Sequence, residues 1–232
     1  MPNRREFIAA TALVLTQARL SRAATENSVP PLLDHVILGC SDLDTGMAWV
    51  ESKLGVRPAL GGVHPGRGTR NALLSLGKRR YLEIMAPDPQ QREDAQTRAL
   101  KDLKEPRIIG WAAHVSDAKS VGYSLRNAGI GFSGPTPGTR QRPDGLVLKW
   151  MTVNLDDDAG VLPFFIEWGE FSVHPSEGAP KGVSLVALTA ASPKQAAAMK
   201  VVDALGLGLQ VGSAAQPELH ATFEHDGQQV TV

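Results

Sequence analysis

A single cysteine, Cys40, stands among 232 residues. No internal disulfide can form, and no site needing several thiolates, such as a structural zinc or an iron–sulfur cluster, can be assembled. The fold must hold by burial alone. Net charge is lacking as well, since 24 lysines and arginines balance 24 aspartates and glutamates. No global field then draws a nucleic acid or an acidic membrane to the surface. The apolar run from Phe7 to Leu15 is roughly half of the ~20 residues a membrane-spanning helix needs, so no permanent membrane anchor is expected. No glycine-rich phosphate loop, Ser-His-Asp order or basic-aromatic surface for nucleic acid stands out. What remains is a chain of 42% hydrophobic residues, ordinary for a packed globular core.

The first residues read as a leader. Asn3-Arg4-Arg5-Glu6-Phe7-Ile8 places twin arginines and a phenylalanine before the apolar run, and Ser21-Arg22-Ala23 follows as a small-x-small cleavage pattern. Residues 1–24 are therefore expected to be a cleaved, twin-arginine-like export signal, which makes the mature protein periplasmic or secreted.

Beyond the leader the chain repeats one grammar three times: strand, cap, helix, glycine, strand. The first copy begins at Leu33-Asp34-His35-Val36-Ile37-Leu38, caps a helix at Asp42 and closes it at Gly55; the second runs from Ile108 to Val115, caps at Asp117 and closes at Gly129; the third runs from Val183 to Leu188, caps at Ser192 and closes at Gly206. Serine and aspartate accept hydrogen bonds from the free amides of a first helical turn, and glycine takes the left-handed conformation that ends one. Each copy continues into paired strand-like runs, joined by Gly77-Lys78, by the acidic turn Asp156 to Gly160, and by the hairpin signal Asp226-Gly227. The expected unit is βαβββ, with a paired domain over residues 32–170 and a third module over 182–232. Pro58 to Thr69 and Ser133 to Gly145 are rich in glycine and proline and read as loops able to fold over a ligand.

Several stretches carry a resemblance to a known family: the Leu33 to Leu38 strand followed by Asp42-Leu43, the loop His64-Pro65-Gly66-Arg67-Gly68-Thr69 leading to Asn71, Tyr81-Leu82-Glu83-Ile84-Met85-Ala86-Pro87, and Pro163-Phe164-Phe165-Ile166-Glu167-Trp168. Together they resemble glyoxalase-like proteins of the vicinal oxygen chelate superfamily. The resemblance implies an α+β fold in which repeated βαβββ modules form an open, cup-shaped mixed sheet with helices outside. It implies metal ligands on the first and last strands of each module, which by motif are His35, Glu83 and Glu167. The fourth position falls on Gly110, which has no donor; His114, four residues along, shares its face.

A nitrogen and two carboxylates would suit zinc, manganese, iron or nickel, polarising two adjacent substrate oxygens while Glu83 or Glu167 moves a proton. Lyase or isomerase chemistry follows more readily than extradiol dioxygenase chemistry, because the second histidine of a two-histidine, one-carboxylate set has Gly110 in its place. His64, Arg67, Arg70 and Asn71 concentrate groups able to hold an anionic ligand, and His114 and Trp111 are candidates for further cavity contacts. The competing reading is a metal-free protein that uses the cup to bind and sequester a small molecule. Small molecules are the expected ligands in either case, and an unpaired sheet edge in the third module would invite a pseudo-paired module, a cover over the edge or a contact with a second copy of the chain.

Overall fold

Strand alternation decides which side chains meet. In the first strand, β1 (Leu33–Gly39), every residue is buried: Val36 and Leu38 enter the hydrophobic core while His35 and Ile37 face a cavity on the other side, as a period of two requires. The computed structural model describes residues 28–232; the leader expected at residues 1–24 lies outside the described residues. Asp42 caps helix α1 (Leu43–Leu54) by accepting the Thr45 N–H at 2.8 Å, and Gly55 ends it at φ 73°. Strands β2 (Ala59–His64), β3 (Thr69–Ser75) and β4 (Tyr81–Pro87) complete the first module. A short helix, α2 (Ala95–Lys101), leads to the second: β5 (Arg107–His114), α3 (Ala118–Asn127), β6 (Phe132–Gln141), β7 (Val147–Leu155) and β8 (Phe164–Trp168). Asp117 caps α3 through the amides of Lys119 and Ser120.

The two modules close into an eight-stranded barrel in the order β1-β4-β3-β2-β6-β7-β8-β5. One seam is the antiparallel pairing of β1 with β5; the other is narrow, with Val63 of β2 opposite Gln141 of β6. Much of the two segments read as loops therefore lies in strands, and close approach near the narrow seam explains two of their glycines. A Cβ on Gly62, whose φ is 139°, would lie 2.1 Å from the Gln141 carbonyl oxygen, and one on Gly61 would lie 2.3 Å from Asn71 Oδ1. These glycines answer to a close approach across the barrel rather than to a local turn.

After the four-residue helix α4 (Pro175–Gly178), the third module follows as β9 (Ser184–Ala191), α5 (Gln195–Ala204), β10 (Gln210–Gly212), β11 (Glu218–His225) and β12 (Gln228–Thr231). Its element order repeats the other two, but its topology does not. The first strand of each barrel module lies parallel to that module's last strand, whereas β9 lies between β10 and β11 in a separate four-stranded sheet. Ser192 also departs from simple capping. Its hydroxyl accepts the Lys194 N–H at 3.1 Å and donates to the Ala159 carbonyl at 2.8 Å, tying the third module to the barrel, while α5 starts after Lys194 without a side-chain cap.

The apolar core lies between the barrel wall and the helices and runs on into the third module, including Leu38, Met47, Leu82, Trp111, Phe165, Leu188 and Phe223. Each large side chain fully buried there contributes about 1.5–3 kcal/mol. The barrel interior contributes little of that kind, because histidine, asparagine, glutamate and arginine line it. Among the described residues no helix is long and apolar enough to cross a membrane.

Candidate active site

The barrel encloses a cavity of about 240 Å³, smaller than the ~300–1,000 Å³ of pockets that take drug-sized ligands. Its floor is built from the inward-facing positions of adjacent strands: His35 on β1, Tyr81 and Glu83 on β4, Thr69 and Asn71 on β3, His64 at the end of β2, and Arg140 on β6. Trp150 and Trp168, with ring centroids 5.5 Å apart, and Phe164 form an aromatic wall, while the exposed Arg67 and Gln96 lie at the rim.

Glu83 is the hub. Asn71 Nδ2 donates to Glu83 Oε1 at 2.6 Å, His64 Nε2 lies 3.6 Å from the same oxygen, and His35 Nε2 lies 3.5 Å from Oε2. Asn71 is held in that orientation because its Oδ1 accepts from an Arg140 guanidinium nitrogen at 3.2 Å. Burial, the largest influence on the Glu83 carboxyl, pushes its pKa up; His64, His35, the Asn71 N–H and Arg140 together outweigh it and hold the group below the usual carboxylate range. Glu83 is accordingly an anion at neutral pH. His64 shifts downward because burial, with Arg140 and Arg67, outweighs the pull of Glu83, so its ring is neutral there. Its Nδ1 lies 2.9 Å from Thr69 Oγ1. Burial, then Glu83 and Asp34, raise the Tyr81 hydroxyl well above its ordinary value and keep it protonated.

Behind His35 sits a second carboxylate. Asp34 is fully buried and takes His35 Nδ1 at 2.7 Å, the Trp168 indole N–H at 3.0 Å and His174 Nε2 at 3.2 Å; His174 Nδ1 in turn meets Ser176 Oγ at 2.8 Å. Burial alone would raise the Asp34 pKa, but the hydrogen bonds from His174 and His35 and the electrostatic attraction of those rings hold it far below the ordinary range. An ionised carboxylate only accepts hydrogen bonds, so Nδ1 of His35 carries a proton and Nε2 is turned toward Glu83 and the cavity. The β1–β5 register shifts between Leu33 and His35, an irregularity of the kind that re-aims a side chain and lets two neighbours in sequence meet.

Of the residues singled out from sequence, His35, His64, Arg67, Asn71 and Glu83 line one cavity. Four do not. Glu167 stands between Ile166 and Trp168, which face inward; its carboxylate points outward and accepts the Ala118 N–H at 2.8 Å at the start of α3. Trp111 belongs to the outer core and donates its indole N–H to the Val161 carbonyl at 3.0 Å. His114, at the end of β5, turns to the Leu32 carbonyl at 3.1 Å and lines a surface groove with Asp117 and Ser120. Arg70 alternates outward from Thr69 and Asn71 and lies 3.7 Å from Asp42. The proposed ligand set His35, Glu83 and Glu167 therefore does not converge.

Register gives the reason. Glu83 pairs with Ile37, two residues beyond His35; the matching pair in the second module is Phe164 with Ala112, two residues beyond Gly110. The second module thus offers glycine and phenylalanine where the first offers histidine and glutamate. Among the described residues no group of three or more His, Cys, Asp or Glu side chains is arranged to hold a metal ion. His35, His64 and Glu83 come nearest, but the Asn71 amide nitrogen lies 3.3 Å from His64 Nε2 and 2.6 Å from Glu83 Oε1. It fills the gap that an ion shared by those two groups would need. The residues present do not fit the divalent metal that the resemblance implied.

Asp34, Tyr81, Arg140, Trp150 and His174 were not among the sequence candidates. Asp34 adjoins His35, and its adjacency was the one available signal. Arg140 and His174 sit in proline-containing stretches with no local pattern that points inward.

The model of a family described as a glyoxalase-like domain matches residues 33–206. No curated protein matches the chain. Among solved structures, a hypothetical protein from Staphylococcus aureus has the same fold, with a TM-score of 0.66 over 86% of this chain and 97% of its own at 16% identity. Methylmalonyl-CoA epimerase from Mycobacterium tuberculosis is a looser likeness, with a TM-score of 0.46, 26% identity and coverage of 62% of this chain and 94% of its own.

Proposed function

Because the chain belongs to the glyoxalase-like domain family of the vicinal oxygen chelate superfamily, we propose that its barrel is the active site of a small-molecule isomerase or lyase in which Glu83 moves a proton. The observation that carries this reading is one buried, ionised carboxylate facing the cavity between two imidazoles. Asn71 occupies Oε1 and leaves Oε2 as the basic oxygen. Taken up by Oε2, a proton leaves a substrate carbon that bears one oxygen and adjoins a carbonyl. The C–H electron pair moves into the carbonyl and gives an enolate with two vicinal oxygens. Arg140 and Tyr81 line the same cavity and supply positive charge and hydrogen-bond donors for that oxygen charge. Return of the proton to the same carbon from the other face, or to the neighbouring carbon while the hydroxyl proton passes to the former carbonyl oxygen, completes an isomerisation; expulsion of a group from the next carbon completes an elimination. His35 Nε2, 3.5 Å from Oε2, is placed to take the proton on. We assign this activity to the periplasm or the cell exterior on the pattern of the leader.

A panel of 2-hydroxy and 2-oxo aldehydes, ketones and acids in deuterated water tests the assignment, with loss of the α-hydrogen signal followed by proton NMR. The protein should speed exchange for at least one member, and Glu83→Gln should slow it by about 10²–10⁴-fold. Tight binding of panel members with no exchange by the unaltered protein would return the sequestering reading.

A further inference from the structure

The cavity holds a positive charge that the proton-transfer scheme does not require in full. Arg140 is 3% exposed and lines the barrel interior. Among the described residues it has no carboxylate within 4.0 Å; its one hydrogen bond is to the neutral amide oxygen of Asn71, and its Nε, buried, has no partner. A buried guanidinium with five donors and one neutral acceptor is an unbalanced arrangement, because a desolvated cation is ordinarily paired and hydrogen-bonded. Glu83 does not discharge it. Asn71 stands between the two, accepting from Arg140 with Oδ1 and donating to Glu83 with Nδ2. The result is a base and a cation facing one small space, held apart by an amide.

We propose that the ligand is a small carboxylic acid with an oxygen on the adjacent carbon, its carboxylate bound by Arg140. This rests on the proton-transfer reading above and names its substrate class. The planar fork of the guanidinium matches the two oxygens of a carboxylate. Arg140 and Glu83 line the same cavity and are bridged by Asn71, so fixing that end on Arg140 leaves the adjacent, oxygen-bearing carbon in the space that Glu83 faces. Trp150, Trp168 and Phe164 then receive the remainder, so an apolar or aromatic substituent is preferred to a second charged one. The cavity volume of about 240 Å³ limits that substituent to one ring or a short chain. Exposed Arg67 at the rim draws the acid in without choosing among acids, since its charge is screened by salt.

Mandelate and its neutral isostere mandelamide are the probes, titrated against the full chain with tryptophan fluorescence, which two cavity tryptophans make sensitive. Mandelate should bind on the order of 10- to 100-fold more tightly than mandelamide, the range expected of a charge-assisted bidentate contact. Arg140→Met should abolish the preference, and Arg140→Lys, which keeps the charge without the fork, should retain part of it. Thermal unfolding of both variants identifies a failure to fold, and the matched pair on the unaltered protein stands as a test without them. Equal binding of acid and amide by the unaltered protein overturns the proposal, as does an undiminished preference in folded Arg140→Met. Either result combined with Glu83-dependent exchange on neutral compounds leaves the proton-transfer reading intact; acid preference without any exchange supports the proposal and removes that reading.

Discussion

Replacing Asp34 by alanine removes one acceptor from three buried donors. His35 Nδ1, the Trp168 indole and His174 Nε2 converge on it at 2.7, 3.0 and 3.2 Å, and hydrogen bonds to a charged acceptor contribute about 1.5–3 kcal/mol each. They share a single acceptor, so the contributions do not add. Burying the carboxylate also has its own desolvation cost. The closest general case, breaking a buried charged pair by deleting one partner, costs about 3–5 kcal/mol. Asp34→Ala should therefore lose about 4 kcal/mol. At about 2–4 °C per kcal/mol for a chain of this size, Tm should fall by about 8–16 °C. Asp34→Asn preserves shape and one acceptor oxygen and should lose less, but its amide turns donors toward rings that already donate. Far-UV circular dichroism at pH 7 reads Tm, and urea titration of the same variants reads the free energy. A loss under about 1 kcal/mol for Asp34→Ala would refute the idea that this carboxylate anchors β1, β8 and the His174 segment together.

The remaining expectations concern the seam, the outer carboxylate and pH. Gly62→Ala drives a methyl group into the Gln141 carbonyl at a positive φ; it should cost several kcal/mol, of the order set by backbone strain plus a lost strand contact, and hydrogen exchange should rise first in β2 and β6. Glu167→Ala should cost about 0.5–2 kcal/mol, as loss of a helix-start acceptor does, and should leave mandelate affinity and bound-metal content unchanged; coupled loss of a stoichiometric metal would restore the ligand role that its outward position denies. Stability should decline on acidification in two stages. The folded His64 takes up its proton at lower pH than a free imidazole near 6.5, so the unfolded state gains protons first below about that value. Glu83 and Asp34, both held below their ordinary values, add stability that is present above about pH 4 and lost as pH falls through their lower folded values. Urea midpoints from pH 8 to 3 measure this, and His64→Gln should remove the upper stage and shrink the Glu83 share of the lower one, since His64 helps hold that carboxyl down.

Local chemistry made much of the fold legible. Asp42 and Asp117 announce helix starts, Gly55, Gly129 and Gly206 end them at φ 73°, 67° and 60°, and alternation along Tyr81 to Pro87 separates an outer apolar face from an inner polar one. His35, His64, Asn71 and Glu83 were readable as site residues for the same reason: each is a polar group on a strand otherwise rich in apolar neighbours. Glu167 satisfied that description too, and alternation along its own strand was enough to exclude it once Phe164, Ile166 and Trp168 were known to face inward. The sequence alone does not say which of two strand faces is the inside.

By itself, then, the order of residues determined the βαβββ units and their capped helices and narrowed the candidate carboxylates to Glu83 and Glu167, because these depend on spacings of two to a dozen residues. Only the tertiary structure decided that β2 and β6 meet, that β9 departs from the pairing of its counterparts, that Arg140 reaches the cavity beside Asn71, and that His174 meets Asp34 behind His35. Those contacts join positions separated by 69 and 140 residues, and they arise from closure of a barrel whose two halves carry different side chains at equivalent places. No periodicity within either half encodes what the other half will set against it.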